Sequence, residues 1–227
     1  MSPPKVTTLA DAIARYVADG ACVALEGFTH LIPFAAGHEI IRQGRRGLHL
    51  VRMTPDLVYD QMIGMGCANR LTFSWGGTPG VGSLHRLRDA VEHGWPAPLE
   101  LDEHTHAGMA AAYCAGAARL PFGVLRGYVG TDLPDYTPTI RPIECPFTGE
   151  QLTAVPAINP DVGVVHAAAL GIARGDHCLD QVGGLVSRAG VRLHPRARLR
   201  DELRDGELQR LQMRLQLPGP EPAPIRK

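Results

Sequence analysis

The chain has 227 residues, 44% of them hydrophobic and 20% charged, and its 23 basic residues are balanced by 23 acidic ones. That length buries a full core as one domain, and a formal net charge of zero argues against a surface built to track nucleic-acid phosphates. The five cysteines, Cys22, Cys67, Cys114, Cys145 and Cys178, are scattered and include no C-x-x-C pair, which argues against a zinc ribbon or redox dithiol and for a reducing compartment.

The first predicted element is a helix. Thr8 is placed to cap it, and Leu9, Ile13, Tyr16 and Val17 recur at helical spacing before Asp19-Gly20. Ala21 to Leu25 is a short apolar run suited to a strand covered on both faces, and it leads directly into the turn Glu26-Gly27-Phe28-Thr29. A second helix fits Phe34 to Gln43, closed by Gly44. The pattern then repeats: strand Leu48 to Met53, helix Tyr59 to Met65, and strand Arg70 to Trp75, followed by the glycine-rich Gly76-Gly77-Thr78-Pro79-Gly80. Leu84 to His93 is helical, Leu99 to Glu103 extended, and His106 to Leu120 an alanine-rich helix. Gly123 to Glu150 is rich in Pro, Gly, Thr and Tyr and reads as a long irregular segment, of the kind that serves function or an interface. Leu152 to Ala157 and Val162 to Ala167 close the series as strands.

Strands alternating with helices predict an α/β fold, an open, mostly parallel sheet flanked by helices. Ligands of such sheets sit outside the carboxyl ends of the strands. Nothing near Met1 forms an apolar leader and no stretch is long enough to span a bilayer, so the chain is expected to be cytoplasmic.

Three segments fall at that predicted ligand edge. In Glu26-Gly27-Phe28-Thr29-His30, Gly27 permits close backbone approach to a phosphate or thioester oxygen, or makes a tight turn with no ligand. It is neither a Walker loop nor a dinucleotide loop. Ser74 to Gly82 holds four glycines and reads as a mobile loop or as a plain connection. Glu100-Leu-Asp-Glu103-His104-Thr-His106 sets acids beside two imidazoles ahead of a helix. That pattern suits a general base or an oriented histidine, and equally an acidic helix cap. His104 and His106 have no further ligand set, so no metal is expected. Arg126 is able to hold a carboxylate or phosphate, or to form a surface ion pair. Ser74 and Ser83 lack the G-x-S-x-G elbow of a serine hydrolase.

Taken in order, Asp11-Ala-Ile-Ala-Arg-Tyr-Val17, Ala24-Leu-Glu-Gly-Phe-Thr29, Glu39-Ile-Ile-Arg-Gln-Gly44, Leu120-Pro-Phe122, Val155-Pro156 and Pro160 to Ala167 resemble the A (alpha) subunits of family I coenzyme A-transferases of the glutaconate CoA-transferase type. Glu103-His-Thr-His-Ala107, Arg126-Gly-Tyr128 and Cys145-Pro-Phe-Thr-Gly-Glu150 look closest to the A subunit of acyl-CoA hydrolases that open a steroid-derived ring on the same fold.

The resemblance implies an open α/β fold in each of two related subunits with the active site between them. It implies two partners, an acyl-CoA substrate and a B (beta) subunit, with coenzyme A a substrate moiety and no permanently bound cofactor. The transferase nucleophile, a glutamate, belongs to the B-type half, so neither Glu26 nor Glu39 takes that role. On this chain the resemblance implies Glu103 as the catalytic residue, the base for water attack in the hydrolase reading. Gly27, Phe28, Thr29, Gly76, Gly77, His104 and Arg126 are the implied substrate contacts. A non-catalytic acyl-CoA-binding protein and an inactive remnant are the alternatives.

The resemblance ends at Ala167. Residues 168–227 read as a divergent, arginine-rich region, expected to be either the product of a truncated or frameshifted reading frame or a genuine divergent tail, with a charged helix over Leu199 to Leu217 and a disordered tail from Pro218. The expected division is therefore 1–167 and 168–227.

Overall fold

A computed structural model describes residues 7–27, 31–78 and 82–166, together with the backbone of 190–191. The described residues belong to one compact unit, Met1–Leu193.

The chain begins with α1 (Leu9–Tyr16), capped as predicted: the Thr8 side chain accepts from the Asp11 N–H. There follow β1 (Cys22–Glu26), α2 (Phe34–Arg42), β2 (Leu48–Val51), α3 (Leu57–Gly64), β3 (Ala68–Phe73), α4 (His85–His93), β4 (Glu100–Glu103) and α5 (His106–Ala117). Beyond them lie β5 (Phe122–Leu125), α6 (Leu133–Tyr136), β6 (Arg141–Glu144), β7 (Gln151–Pro156), β8 (Val162–Val165) and the two-residue β9 (Gly190–Val191). The main sheet runs β4-β3-β2-β1-β8-β9, and every pairing in it is parallel.

Alternation along these strands divides the sheet into two faces. Val23, Leu25, Leu48, Leu50, Leu71, Phe73, Val162 and Val164 point to one side and form the main core with Ala12 and Ile13 of α1, Ile40 of α2, Val58, Tyr59 and Met62 of α3, and Leu87 of α4. Ala24 and Val51 point to the other side, against Met109 and Tyr113 of α5. The α4 N-terminus is capped from its neighbour rather than from its own sequence. Buried Asp60 of α3 accepts from the Arg86 and Leu87 N–H groups at 2.8 and 2.9 Å.

The segment expected to be irregular, Gly123 to Glu150, carries β5, α6 and β6 joined by turns. β5, β7 and β6 form a second, antiparallel sheet, with Val124 opposite Ala154 and Ile143 opposite Leu152. Its inner side buries Val155 with Ala112 of α5, Tyr128 and Ile140. Two four-residue strands, one containing Pro142, are too short to show a period of two, and this is why composition suggested a loop. β9 extends the sheet with residues from beyond 167. The helix expected over Leu199 to Leu217 and the tail from Pro218 lie outside the described residues.

Candidate functional site

The carboxyl ends of β1 to β4 bring together three of the segments singled out in the sequence. Gly27 follows β1, Ser74 to Thr78 follow β3, and Glu103 to His106 end β4 and open α5.

At β1, Glu26 is held rather than free. The Tyr113 hydroxyl of α5 donates to its Oε1 at 2.6 Å, and the Met53 N–H also donates to its carboxylate. Burial pushes its proton affinity above the usual carboxylate value, and the Tyr113 hydrogen bond and the Arg52 charge offset this only in part. Gly27 is required by close approach, because a Cβ there would lie 2.1 Å from the Leu31 carbonyl oxygen. Arg52 fixes this turn from beneath. Its guanidinium donates to the Leu25 and Gly27 carbonyls at 3.1 and 2.8 Å and pairs with Asp56 at 2.9 Å, both side chains being buried. Tyr59 completes the support, accepting from the Leu25 N–H and donating to the Val51 carbonyl. Phe28 and Thr29 lie outside the described residues.

The glycine-rich segment after β3 is tied at its base. Ser74 and Trp75 N–H groups donate to the Met53 carbonyl, and the Gly77 N–H to the Pro55 carbonyl. Thr78 and Gly82 exchange a pair of backbone hydrogen bonds. Gly76 is exposed and Gly77 buried against the Trp75 ring.

At β4, alternation separates two acids. Asp102 turns inward and Glu103 outward. The Glu103 carboxylate is exposed and has no hydrogen-bond or ion-pair partner among the described residues. Asp102 is buried among donors: Thr139 Oγ1 at 2.5 Å, Thr72 Oγ1 at 3.1 Å, Arg70 Nη2 at 3.3 Å and His104 Nε2 at 3.4 Å. Burial alone would raise its pKa, but the hydrogen bonds from His104 and Thr139, the His104 charge and the Thr72 hydroxyl outweigh it and hold the carboxyl well below the usual range.

His104 is 4% exposed and faces Asp102, Thr139 and the Tyr128 hydroxyl rather than solvent. The Tyr128 hydroxyl accepts from both Thr105 N–H and Thr105 Oγ1, at 2.9 and 3.1 Å. Thr105, not Asp102 or Glu103, caps α5, its side chain accepting from the Gly108 N–H. Gly108 makes room for this arrangement, since a Cβ would sit 1.7 Å from the Tyr128 hydroxyl. Tyr128 itself has φ 75°, a conformation held by its buried partners.

Next to it, exposed His106 faces Ser74 Oγ at 3.0 Å and Thr54 Oγ1 at 3.2 Å. Arg126 stands apart from this edge, at the end of β5, where Glu150 takes its guanidinium through two hydrogen bonds of 2.6 and 2.9 Å.

Sequence reasoning therefore located the edge but missed its supports, Arg52, Tyr59, Tyr113, Thr54 and Tyr128. The short distance between Arg52 and Asp56 along the chain was the one local signal for any of them. No group of three His, Cys, Asp or Glu side chains suited to a metal occurs among the described residues, and no helix among them is long and apolar enough to cross a membrane.

Over 163 residues (72% of this chain and 58% of the relative) the sequence is 69% identical to the A subunit of 3-oxoadipate CoA-transferase from Pseudomonas knackmussii. It is 32% identical over 181 residues to the A subunit of glutaconate CoA-transferase from Acidaminococcus fermentans, covering 56% of that relative. The chain thus spans a little over half the length of these two relatives.

Among solved structures, glutaconate coenzyme A-transferase from Acidaminococcus fermentans superposes with a TM-score of 0.72 at 26% identity, over 92% of this chain and 71% of the other. The decarboxylase AibA/AibB superposes with a TM-score of 0.64 at 30% identity, over 71% of this chain and 61% of the other. Residues 6–171 match the family described as Coenzyme A transferase, a span that includes every residue of the edge described above, and the chain belongs to that family.

Proposed function

We propose that this chain is the A-type component of a heteromeric CoA-transferase that moves coenzyme A between an acyl thioester and a free carboxylate, working beside a separate B-type subunit. The observation that carries this reading is the 69% identity to a transferase component of the A type. The fold alone does not choose a reaction, since a decarboxylase shares it.

The geometry agrees with a division of labour. Glu26 is engaged by Tyr113, so this edge offers no free glutamate at β1 for nucleophilic attack. The attacking glutamate belongs to the B-type half. Its carboxylate adds to the thioester carbonyl and coenzyme A leaves as thiolate, giving an acyl-glutamyl anhydride. The thiolate then attacks the glutamyl carbonyl, releasing the donor acid and leaving a glutamyl thioester that the acceptor carboxylate reverses in turn. Coenzyme A is a substrate moiety in this scheme, and no permanently bound cofactor is called for.

This chain contributes the shape of the thioester site, to which Gly27, Phe28, Thr29, Gly76 and Gly77 are assigned, the glycines permitting close approach of a ligand. Glu103 supplies a carboxylate that is exposed and unpartnered among the described residues. His104 acts at one remove, holding Asp102 and Tyr128 and through them the start of α5. Arg126 is assigned to its pair with Glu150.

The acids named for the two relatives, 3-oxoadipate and glutaconate, are both dicarboxylic, and a dicarboxylic acyl group is part of the reading. So are a cytoplasmic location and the division at about residue 167, near the end of the family match at 171. The outer side of the small sheet supports a covering partner, since Phe122, Val124 and Val129 stand 44%, 47% and 56% exposed there and in the turn beyond.

A hydrolytic reading, water attack assisted by Glu103, rests on the same unpartnered carboxylate. Co-expression with the B-type subunit, size exclusion and an acyl-CoA turnover assay test the proposal. A complex that exchanges coenzyme A between acids, and loses at least about 100-fold in kcat with Glu103→Ala while still assembling, is the expected result. Incorporation of labelled water into the product without exchange would make it a hydrolase, and saturable binding with no turnover a binding protein.

A further inference from the structure

Three side chains from three strand ends meet at the carboxyl edge and have no part in the exchange described above. His106 Nδ1 lies 3.0 Å from Ser74 Oγ, and its Nε2 lies 3.2 Å from Thr54 Oγ1. Ser74 has a single hydroxyl proton and donates it to the Met53 carbonyl at 2.5 Å. It is left only lone pairs for His106, which places a proton on Nδ1.

Thr54 then has two settings. Against a neutral imidazole its O–H donates to Nε2. When Nε2 also carries a proton, Thr54 Oγ1 accepts from it, and the threonine O–H is released to point elsewhere. Protonating this ring therefore breaks no hydrogen bond and frees one donor.

The arginines near this edge are already committed. Arg52 is buried on Asp56 and two carbonyls, and Arg70 pairs with Asp102 and Glu100. Moving either toward a ligand would strand a buried acid. His166, after β8, faces the Ile32 carbonyl at 3.4 Å. His106 is thus a chargeable group at the mouth of the edge whose partners adapt to either protonation state. It lies three residues from Glu103, within about 11 Å of chain.

We propose that His106, backed by Ser74 and assisted by Thr54, seats the free distal carboxylate of the acyl group and so selects dicarboxylic over monocarboxylic thioesters. This rests on the acyl-CoA reading above. When one carboxyl of a dicarboxylic acid is a thioester, the other remains an anion. Bringing that anion into a partly dry site requires a charged or hydroxyl donor to replace its water. The imidazolium N–H groups remain bonded to Ser74 and Thr54, so the ring contributes its charge and the released Thr54 O–H contributes the hydrogen bond.

The test uses the full chain in complex with its B-type partner, and two thioesters of equal chain length, glutaryl-CoA and valeryl-CoA. The unaltered complex prefers glutaryl-CoA in kcat/KM. His106→Gln lowers that preference about tenfold through the KM for glutaryl-CoA, and Thr54→Val lowers it by about threefold. A complex without preference for glutaryl-CoA, or a ratio that moves less than twofold in both variants, overturns the proposal.

Calorimetric titration of the same complexes with free glutarate keeps this outcome separate from the fate of the transferase reading. If neither thioester turns over, that reading fails and the titration decides alone. Glutarate binding weakened about tenfold by His106→Gln upholds the subsite, and equal or absent binding overturns it.

Discussion

The two faces of the parallel sheet are built from the same strands and do opposite work. On the helix-covered face, Leu25, Leu50, Leu71 and Val164 are at most 1% exposed and pack within the main apolar core. On the face turned to α5, the same strands present Glu26, His49, Thr72 and Asp102, each held by a specific polar partner. Successive residues point to opposite sides, so a strand needs no change of backbone to serve both ends. The first face supplies non-directional burial. The second fixes the directions of groups that lead to the carboxyl edge, and the difference between them can be attacked one side chain at a time.

The largest effect belongs to the dry face. Leu71→Ala leaves a cavity between the sheet and its helices and costs about 2–5 kcal/mol in chemical denaturation. Its signature is lost stability at every pH with an unchanged ratio of KM to kcat in whatever folded complex survives. On the polar face, Asp102→Asn strands His104 and Arg70 without their acid and costs about 2–3 kcal/mol at neutral pH.

That second loss depends on pH in a definite direction. The folded pKa of Asp102 lies below the usual 3.8, so its contribution is complete above that value. Below it the unfolded chain takes up a proton that the folded chain refuses, and the contribution fades as pH falls. Denaturation of the parent and the variant should therefore converge in acid, and a constant gap from pH 7 to pH 3 would contradict the network.

Glu26 gives the opposite sign. Its folded pKa is raised above the usual 4.5 by burial, so the fold holds this proton where the unfolded chain has released it. Stability contributed by the protonated form is present below 4.5 and is lost as pH rises through the folded value. Glu26→Gln, which keeps an acceptor for Tyr113, should gain on the parent across that window. Tyr113→Phe, which removes the donor, should cost about 1–2 kcal/mol once Glu26 is ionised. Paired denaturation curves from pH 4 to pH 8 check both, and parallel curves for Glu26→Gln and the parent would show that the carboxyl is not buried as described.

The two faces also differ in how well the sequence announces them. The dry face was legible throughout, because apolar residues at alternating positions between capped helices have few other solutions, and Thr8 capped α1 as its residue type predicts. The edge was legible as a place, since Gly27, Gly76 and Gly77 follow strands and Glu103 ends one. Its supports were not. Tyr113 reaches Glu26 across 87 residues and Tyr128 reaches Thr105 across 23. No local period encodes such a contact, and the alanine-rich run around Tyr113 gave only helix. His104 shows the same limit: a histidine beside acids reads as a site residue, yet alternation from exposed Glu103 turns it inward. The small sheet was lost because four-residue strands carry too little pattern.

The smallest expected effect falls on neither face. Arg126 and Glu150 form a bidentate pair, but the arginine side chain is 79% exposed, and water and salt screen most of what such a pair gains. Arg126→Ala should leave the melting temperature within measurement scatter and alter KM for acyl-CoA by less than twofold. The experiment is sharp because the resemblance implied a substrate contact for Arg126, whereas the residue alone also allowed a surface ion pair. Glu150 already occupies both prongs of that fork, so a ligand would have to displace an intramolecular partner before gaining anything. A tenfold rise in KM, absent in Glu150→Gln, would mean that the pair opens once the B-type partner is bound and that Arg126 contacts substrate there. Equal, small effects from both variants leave the pair as a clasp between β5 and the turn before β7.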